Sequence, residues 1–422
     1  MIFAYDSFNR QTQRLIRKTL SIKFLICLFV LTACSPAEVA RAPAPSATPT
    51  ISIPATPTPT IAPATPTATI LAPTAFPTPR TDCKERYSTV PAERDYWPTT
   101  EWRVSSLTEH CLDPEKVEQA VRYFESGKKA RSLLIVRHGE LVYENYFGSI
   151  LKPGRTANVY SVTKSVLSAL VGIAMDQGLL DSLDHKVIEY FPEYFYPKTD
   201  PRMTQVTLRH LLTMSTGFLW VENGPIETKW LDSDNWVEAA INLKFVDQPG
   251  AVFIYSSANT QLLSGVLTRL TGESLIAYAQ HNLFTPLGIP ASRWSWGLDD
   301  HGYATGGFGM NLHPRDMARF GYLYLNQGYW DGQQIISPEW IQESTQSQIS
   351  IDTGSEAYGY LWWIHPRQDH PAFEALGYGG QNIYVVPDLD LVVTMTSDGT
   401  VLSESDSNPD IYEWIMKAVT DR

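Results

Sequence analysis

Apolar residues recur at helical spacing in several parts of the chain. Val162, Val166 and Leu170 form one such series, and they predict an apolar-faced helix that begins near residue 161. Another helix is predicted at residue 113, where a capping side chain precedes a proline in the first turn. The other predicted helices cover residues 207–214, 259–270, 316–326 and 411–419, and one more begins at Ser337-Pro338.

Runs rich in β-branched and aromatic residues predict strands near both ends of the same region. Residues 132–137 and 140–147 flank a His-Gly turn and predict a β-hairpin. Further strands are predicted at 359–364, 373–376, 382–386 and 391–397. Strands at both ends with helices between them predict an α+β fold, in which an antiparallel sheet is flanked by helices and an all-helical lobe is inserted. We expect a ligand site in the cleft between the two lobes.

The first 33 residues have the pattern of a secretory signal. A basic stretch precedes the apolar run 24–31, which is too short to cross a bilayer as a helix. The run ends in Leu31-Thr32-Ala33-Cys34, which resembles a bacterial lipoprotein signal that is cleaved before Cys34 and lipidated there. The alternative is an ordinary signal peptide with an incidental cysteine. The first interpretation predicts an extracytoplasmic protein that is held to a bacterial membrane by acyl chains.

The chain therefore divides into three predicted parts: a signal peptide (1–33), a tether (34–81) and one enzyme-sized domain (82–422). The tether consists mostly of Pro, Thr, Ala and Ser, and repeated Thr-Pro favours extended polyproline II structure. A formal net charge of −12 argues against nucleic acid as a partner. In an oxidising exterior, Cys83 and Cys111 are candidates for a disulfide, and two free buried thiols are the alternative.

Candidate chemistry concentrates where the apolar helix begins. Ser161 and Lys164 are three residues apart and share one helix face, so the amine can accept the hydroxyl proton if burial keeps it partly neutral. The unpaired N–H groups of the first helical turn can stabilise an oxyanion. Ser-x-x-Lys also occurs at Ser126 and Ser149, but both lie in predicted turns or loops. The alternative for Ser161 is a helix cap without a catalytic role.

Several ordered motifs resemble the serine β-lactamase and penicillin-binding protein superfamily, and most closely its class C-type branch of esterases, D-amino-acid peptidases and aminohexanoate-oligomer hydrolases. The resemblance covers residues from about 112 to 419. It depends on Tyr160-Ser161-Val162-Thr163-Lys164, the stretch 207–217, Tyr255-Ser256-Ser257 and Gly377-Tyr378-Gly379-Gly380-Gln381.

The resemblance implies roles for individual residues. Ser161 is expected to be the nucleophile, Lys164 its partner base, and Tyr255 a phenol that relays a proton to the leaving group; which of the two takes the first proton is left open. The N–H groups of Ser161 and Gln381 would form the oxyanion hole. Gly379 and Gly380 would let the substrate approach closely, although two glycines are more often a simple turn.

Two positions depart from the β-lactamase pattern. Ser257 stands where β-lactamases carry Asn, and Tyr378 stands where they carry a Lys that supplies positive charge for the substrate carboxylate. A phenol cannot supply that charge at neutral pH. Ester or amide hydrolysis of a less anionic substrate, such as a small molecule or short peptide, is therefore expected rather than efficient β-lactam turnover.

Other candidate residues have simpler interpretations. His210 is expected to be a structural group of an apolar helix, a lone Tyr255 is usually a core aromatic, and Tyr360, Trp362 and Trp363 are expected in the core, with one of them as a candidate for the cleft wall. The sequence has no metal-ligand spacing, and we expect no metal or other cofactor. The alternatives to an esterase or amidase are a cell-wall D-amino-acid peptidase or weak penicillin-binding protein, and a non-catalytic surface binding module of the same fold.

Overall fold

Eight of the strands in the described part of the chain hydrogen-bond into one antiparallel sheet, with the two strands of the N-terminal hairpin at one edge. The computed structural model describes residues 94–126, 130–148, 154–351, 356–366, 369–398 and 411–420. The described strands are β1 (Ala130–Arg137), β2 (Glu140–Tyr146), β3 (Ala157–Asn158), β4 (Ser295–Trp296), β5 (Met310–Leu312), β6 (Tyr329–Trp330), β7 (Gln333–Gln334), β8 (Ile349–Ser350), β9 (Ala357–Tyr358), β10 (Trp363–His365), β11 (Ala372–Gly377), β12 (Gln381–Val386) and β13 (Leu391–Ser397). The order in the large sheet is β2-β1-β13-β12-β11-β10-β9-β8.

Helices occupy most of the chain between β2 and β8. Within the described ranges, the α-helices are α1 (Pro114–Ser126), α2 (Val162–Asp176), α3 (Val187–Tyr190), α4 (Leu208–Leu212), α5 (Pro225–Leu231), α6 (Trp236–Ile241), α7 (Ser257–Thr271), α8 (Leu275–Ala279), α9 (Pro314–Leu325), α10 (Pro338–Ser344) and α11 (Ile411–Ala418). Short 3₁₀ turns lie at Thr108–His110, Pro192–Tyr194, Pro201–Gln205, Ala291–Arg293 and Pro387–Leu389, and a π-helical turn at Gln280–Phe284.

The sheet separates two apolar cores because side chains alternate between its faces. On β1, Leu133 and Ile135 pack with α1 and α11, whereas Leu134 and Val136 pack on the opposite face. The core on the face of Leu134 and Val136 is much larger, and it also contains the apolar residues of α2, α7 and α9. The predicted α+β fold is thus confirmed, with an antiparallel sheet between helices from the two ends of the domain and helices from its middle.

The predicted element boundaries are mostly correct, with two exceptions. The predicted helix 207–214 is only Leu208–Leu212, because Met214 adopts a left-handed conformation at φ +54°. The predicted strand 359–364 is wrong as one element. Leu361 has φ +63° and donates its N–H to the carbonyl of Leu212, so the strand is split into β9 and β10. A contact with a distant helix end thus overrides the local β preference.

Several predictions concern residues outside the described part of the chain. The signal peptide, Cys34, the tether and Cys83 all lie there. Cys111 is buried and disulfide-bonded, while its pairing with Cys83 stays a prediction. Among the described helices, none combines the length and the apolar character needed to cross a membrane.

Candidate active site

The chain turns sharply just before Ser161, and this turn sets the hydroxyl at the start of α2. Tyr160 adopts a left-handed conformation at φ +46°, which is costly for a residue with a bulky side chain. Asn158 holds the turn, since its side-chain oxygen accepts from the Tyr160 N–H at 2.9 Å. Ser161 occupies the cap position, but its side chain makes no capping hydrogen bond. Its hydroxyl is directed to Lys164 instead.

Lys164 lies at the centre of a cluster of polar groups. Its side chain is only 1% exposed, and its Nζ lies 3.0 Å from Ser161 Oγ. The same nitrogen donates to Ser257 Oγ at 3.1 Å and to the Gly307 carbonyl at 2.7 Å. Gly307 has to be a glycine here, because a Cβ at that position would lie 2.7 Å from Ser257 Oγ. Three oxygens thus lie within hydrogen-bond distance of the amine.

Burial favours the neutral amine of Lys164. Desolvation lowers the pKa of Lys164 below its usual value, while the carboxylates of Glu222 and Glu227 act in the opposite direction. A larger neutral fraction at physiological pH is what a lysine needs to accept a proton from a serine hydroxyl. The Ser-x-x-Lys spacing, the 3.0 Å contact between Lys164 Nζ and Ser161 Oγ, and the lowered pKa of Lys164 are all consistent with a lysine that acts as a base.

Tyr255 joins the cluster through its ring. The Lys164 Nζ lies 4.8 Å from the centroid of that ring, within range of a cation–π interaction. On its other sides, the ring packs against Trp363 at 5.7 Å and Phe253 at 6.5 Å between centroids. Tyr255 is half-buried, so aromatic side chains surround one side of the site. The role of its hydroxyl in proton transfer stays a prediction.

The turn between β11 and β12 lies beside the nucleophile. Gly377 ends β11, and a Cβ there would lie 3.3 Å from the Ser161 nitrogen and 2.3 Å from the Val159 carbonyl oxygen. Gln381 pairs with Gly377 across the hairpin. The buried side chain of Gln381 donates to the Ser397 carbonyl at 3.0 Å and accepts from the Ser397 N–H at 3.2 Å. This clamp fixes the backbone that is predicted to complete the oxyanion hole.

The turn between β11 and β12 also contains the three residues that are predicted to contact the substrate. Gly379 and Gly380 have φ +75° and +88°, so the backbone of the turn itself favours glycine at both positions. This agrees with the interpretation that the two glycines form a simple turn. The Tyr378 ring packs edge-on against Tyr160 with 5.7 Å between centroids. Position 378 therefore adjoins the residue that precedes the nucleophile, and contact of these three residues with substrate stays a prediction.

Two acidic residues of the site lie outside every motif that is recognisable in the sequence. Glu222 accepts from the Ser257 hydroxyl, and one of its oxygens lies 3.9 Å from Lys164 Nζ. Glu227, at the start of α5, is buried and accepts from the Asn223 N–H. Burial and the charge of Glu222 raise the pKa of Glu227 to about 7. Both are single glutamates in a polar loop and a short helix, where a solvated side chain is the usual expectation.

The remaining candidates are structural or lie beside the site. His210 helps to cap α4, since its Nδ1 accepts from the Thr207 N–H at 3.2 Å, and burial lowers its pKa. Tyr360 and Trp362 are core residues, whereas Trp363 is half-buried against Tyr255. Within the described ranges, no group of three or more His, Cys, Asp or Glu side chains is arranged to hold a metal ion.

Comparison with known proteins assigns the family. The Beta-lactamase family model matches residues 118–413, which is more than half of the chain. The chain belongs to the beta-lactamase family. This assignment confirms the resemblance that the sequence motifs indicate, and the whole of the described site lies within the matched residues.

The proteins similar to this beta-lactamase family member include hydrolases and penicillin-binding-protein homologues. The 6-aminohexanoate-dimer hydrolase of Paenarthrobacter ureafaciens is 24% identical over 303 residues, covering 67% of this chain and 74% of that protein. Esterase EstB of Burkholderia gladioli is 27% identical over 176 residues, covering 37% and 44%. The octameric penicillin-binding protein homologue of Pyrococcus abyssi shares the fold at a TM-score of 0.57 with 23% identity, covering 72% and 82%. The chain is accordingly a serine hydrolase of the beta-lactamase and penicillin-binding protein superfamily.

Proposed function

We propose that this serine hydrolase cleaves an ester or amide bond through an acyl-enzyme formed on Ser161. The observation that carries the proposal is the 3.0 Å contact between Ser161 Oγ and the Nζ of the buried Lys164. A serine hydroxyl beside an amine that burial makes less basic is an activated nucleophile. Ser126, which begins another Ser-x-x-Lys sequence, has an exposed hydroxyl that donates to the Tyr123 carbonyl instead.

The proposed reaction runs in two steps. Ser161 Oγ forms a bond to the carbonyl carbon as its proton passes to Lys164, and the oxyanion is held by the N–H groups of Ser161 and Gln381. The alcohol or amine leaves with a proton that Lys164 and Tyr255 deliver. Water then adds to the acyl-enzyme, releases the carboxylic acid and restores the Ser161 hydroxyl.

The surroundings of the nucleophile favour a substrate with little negative charge. The rings of Tyr255, Trp363 and Phe253 pack together on one side, and those of Tyr160 and Tyr378 on another. Aromatic side chains bind apolar groups by area and shape. A phenol at position 378 offers no positive charge to a substrate carboxylate. An apolar acyl group is the expected partner of this site.

The N-terminal sequence supports an extracytoplasmic location. The basic and apolar stretches before Cys34, and the Pro/Thr-rich segment after it, are what a lipid-anchored protein on a spacer requires. We therefore propose a hydrolase attached to the outer side of a bacterial membrane.

The proposal is tested by hydrolysis of p-nitrophenyl butyrate with the full-length protein and its Ser161→Ala variant. Loss of the nucleophile is expected to lower kcat/KM by about three orders of magnitude or more. Ser168→Ala, a buried serine two turns further along α2, is the matched control and should keep wild-type turnover. Equal rates in wild type and Ser161→Ala would refute the proposal.

A second measurement separates this function from that of a cell-wall peptidase or penicillin-binding protein. The extracytoplasmic address motivates the alternative, and Tyr378 at the position of the expected lysine weighs against it. Fluorescent penicillin is expected to leave the protein unlabelled at concentrations at which the ester substrate is turned over. Stoichiometric labelling on Ser161 would favour the alternative.

A further inference from the structure

Glu222 lies in the loop before α5, and its largely buried carboxylate contacts Ser257, which begins α7 and in turn contacts Lys164. Its Oε2 accepts from the Trp220 Nε1–H at 2.6 Å and from the Ser257 N–H at 3.1 Å. Its Oε1 accepts from the Ser257 hydroxyl. The indole and backbone N–H groups can only donate, and both donate to Oε2, which suits an ionised carboxylate.

This carboxylate determines the direction of the Ser257 hydroxyl. A hydroxyl has a single proton, and an ionised carboxylate can only accept. The Ser257 proton therefore points to Glu222, and only lone pairs of Ser257 Oγ face Lys164 Nζ at 3.1 Å. The Gly307 carbonyl, at 2.7 Å from the same nitrogen, is also solely an acceptor.

The two acceptors leave one direction for the lone pair of a neutral Lys164. A neutral amine has two N–H bonds and one lone pair, and the N–H bonds are taken by Ser257 Oγ and the Gly307 carbonyl. Among the hydrogen-bond partners of this nitrogen given above, the third is Ser161 Oγ at 3.0 Å. The lone pair then faces the proton that has to be removed.

We infer that Glu222 is a positioning residue, which orients the Ser257 hydroxyl so that neutral Lys164 presents its lone pair to Ser161. This inference rests on the proposed function, because it assigns a role in the same acylation step. It also gives a reason for the departure at position 257. The Asn that β-lactamases carry there has separate donor and acceptor atoms, whereas a hydroxyl combines both on one atom and needs a neighbour to fix its direction.

The Glu222→Gln variant reverses this direction with almost no change in shape. Trp220 and the Ser257 N–H both donate to the Oε2 position, so the amide oxygen is expected there and the amide NH₂ faces Ser257 Oγ. The Ser257 proton then turns to Lys164 and occupies its lone pair. We expect kcat for p-nitrophenyl butyrate to fall about 10- to 100-fold at the pH plateau, with KM changed less than about twofold.

A purely electrostatic role for Glu222 predicts a different result. Its carboxylate lies 3.9 Å from Lys164 Nζ and raises the pKa of that amine, as Glu227 also does. Loss of the charge alone would lower the Lys164 pKa and move the acid limb of the pH–kcat profile to lower pH, with the plateau unchanged. A lower plateau kcat in Glu222→Gln would support the role of Glu222 in orienting the Ser257 hydroxyl. An acid limb at lower pH with the wild-type plateau kcat would support a role of the charge alone and would overturn the inference.

The Ser257→Ala background supplies the decisive comparison. Without the hydroxyl there is no direction to set, so adding Glu222→Gln to Ser257→Ala should change kcat by less than about twofold. An equal loss in both backgrounds overturns the inference. Ser257→Ala alone removes an oriented acceptor and should itself lower the plateau kcat about 10-fold or more, which keeps the test available even if Glu222→Gln folds poorly.

The matched control is Glu374→Gln, the same substitution at a buried glutamate that contacts Asn382 and Tyr412. It should keep wild-type kcat even if it lowers stability. If wild type turns over ester and Ser161→Ala does not, while Glu222→Gln keeps its full plateau, only the role of Glu222 is refuted. If wild type itself has no turnover, the proposed function fails instead.

Discussion

The protonation of Glu227 provides a stability test of the acidic pair beside Lys164. Burial and the charge of Glu222 raise the pKa of Glu227 from 4.5 to about 7 in the folded protein. Below pH 4.5 both the folded and unfolded states hold the proton. As the pH rises towards 7, the unfolded chain loses this proton first, and the folded state is penalised progressively. Well above pH 7 the penalty levels off at roughly 3–4 kcal/mol, from about 1.4 kcal/mol for each pKa unit of the rise.

The Glu227→Gln variant removes the ionisation and keeps an oxygen that can accept from the Asn223 N–H. Its unfolding free energy relative to wild type should therefore increase by up to about 3 kcal/mol between pH 4.5 and pH 8. Urea unfolding of the full-length protein across this range measures the difference. Most of the increase in the unfolding free energy of Glu227→Gln relative to wild type should occur between pH 5 and pH 7.

The same substitution at Glu140 is a control with the opposite sign. A hydrogen bond from His110 lowers the pKa of Glu140, so its stabilisation is present above pH 4.5 and is lost as the pH falls through its folded pKa. Glu140→Gln should therefore lose stability relative to wild type as the pH rises from 3 to 6. If the Glu227→Gln difference is flat across the pH range, or falls as the pH rises, the description of the acidic pair is wrong.

Two further substitutions test the geometry around the nucleophile. Gly377→Ala places a Cβ 2.3 Å from the Val159 carbonyl oxygen, so the turn has to shift; kcat should fall at least about 10-fold and stability by about 1–3 kcal/mol, measured by ester hydrolysis and urea unfolding. Wild-type kcat would refute the close approach of this turn to Ser161. Tyr255→Phe keeps the ring beside Lys164 and removes the hydroxyl, and kcat should fall about 100-fold with stability changed by less than about 1 kcal/mol. An unchanged kcat would exclude the phenol from proton transfer.

The parts of the fold that local sequence determines were predictable. The capped start of α1, the hairpin of β1 and β2, and β13 all have strong local signals, and the structure has them within a residue or two of the predicted positions. The break at Leu361 was not predictable, because its left-handed conformation depends on a hydrogen bond to Leu212, about 150 residues earlier. Periodicity carries no information about such contacts.

The residues of the site also divide into those that the sequence predicts and those that only the structure reveals. The pairing of Ser161 with Lys164 follows from one turn of helix, and the resemblance to a known family supplied Tyr255 and Ser257. Glu222 and the Gly307 carbonyl have no local signal. The first is one glutamate in a loop, and the second is a backbone group that only the tertiary fold directs to Lys164. Their roles depend on the directions of hydrogen bonds, which require coordinates.

Covalent labelling identifies the nucleophilic serine, which we propose is Ser161. The full-length protein and Ser161→Ala are treated with a fluorophosphonate, and the adduct is located by intact-mass and peptide mass spectrometry. We predict one adduct per wild-type chain, on the peptide that contains Ser161, and none on the variant. An adduct of equal yield on Ser161→Ala, or one that maps to another serine in wild type, would show that Ser161 is not the nucleophile.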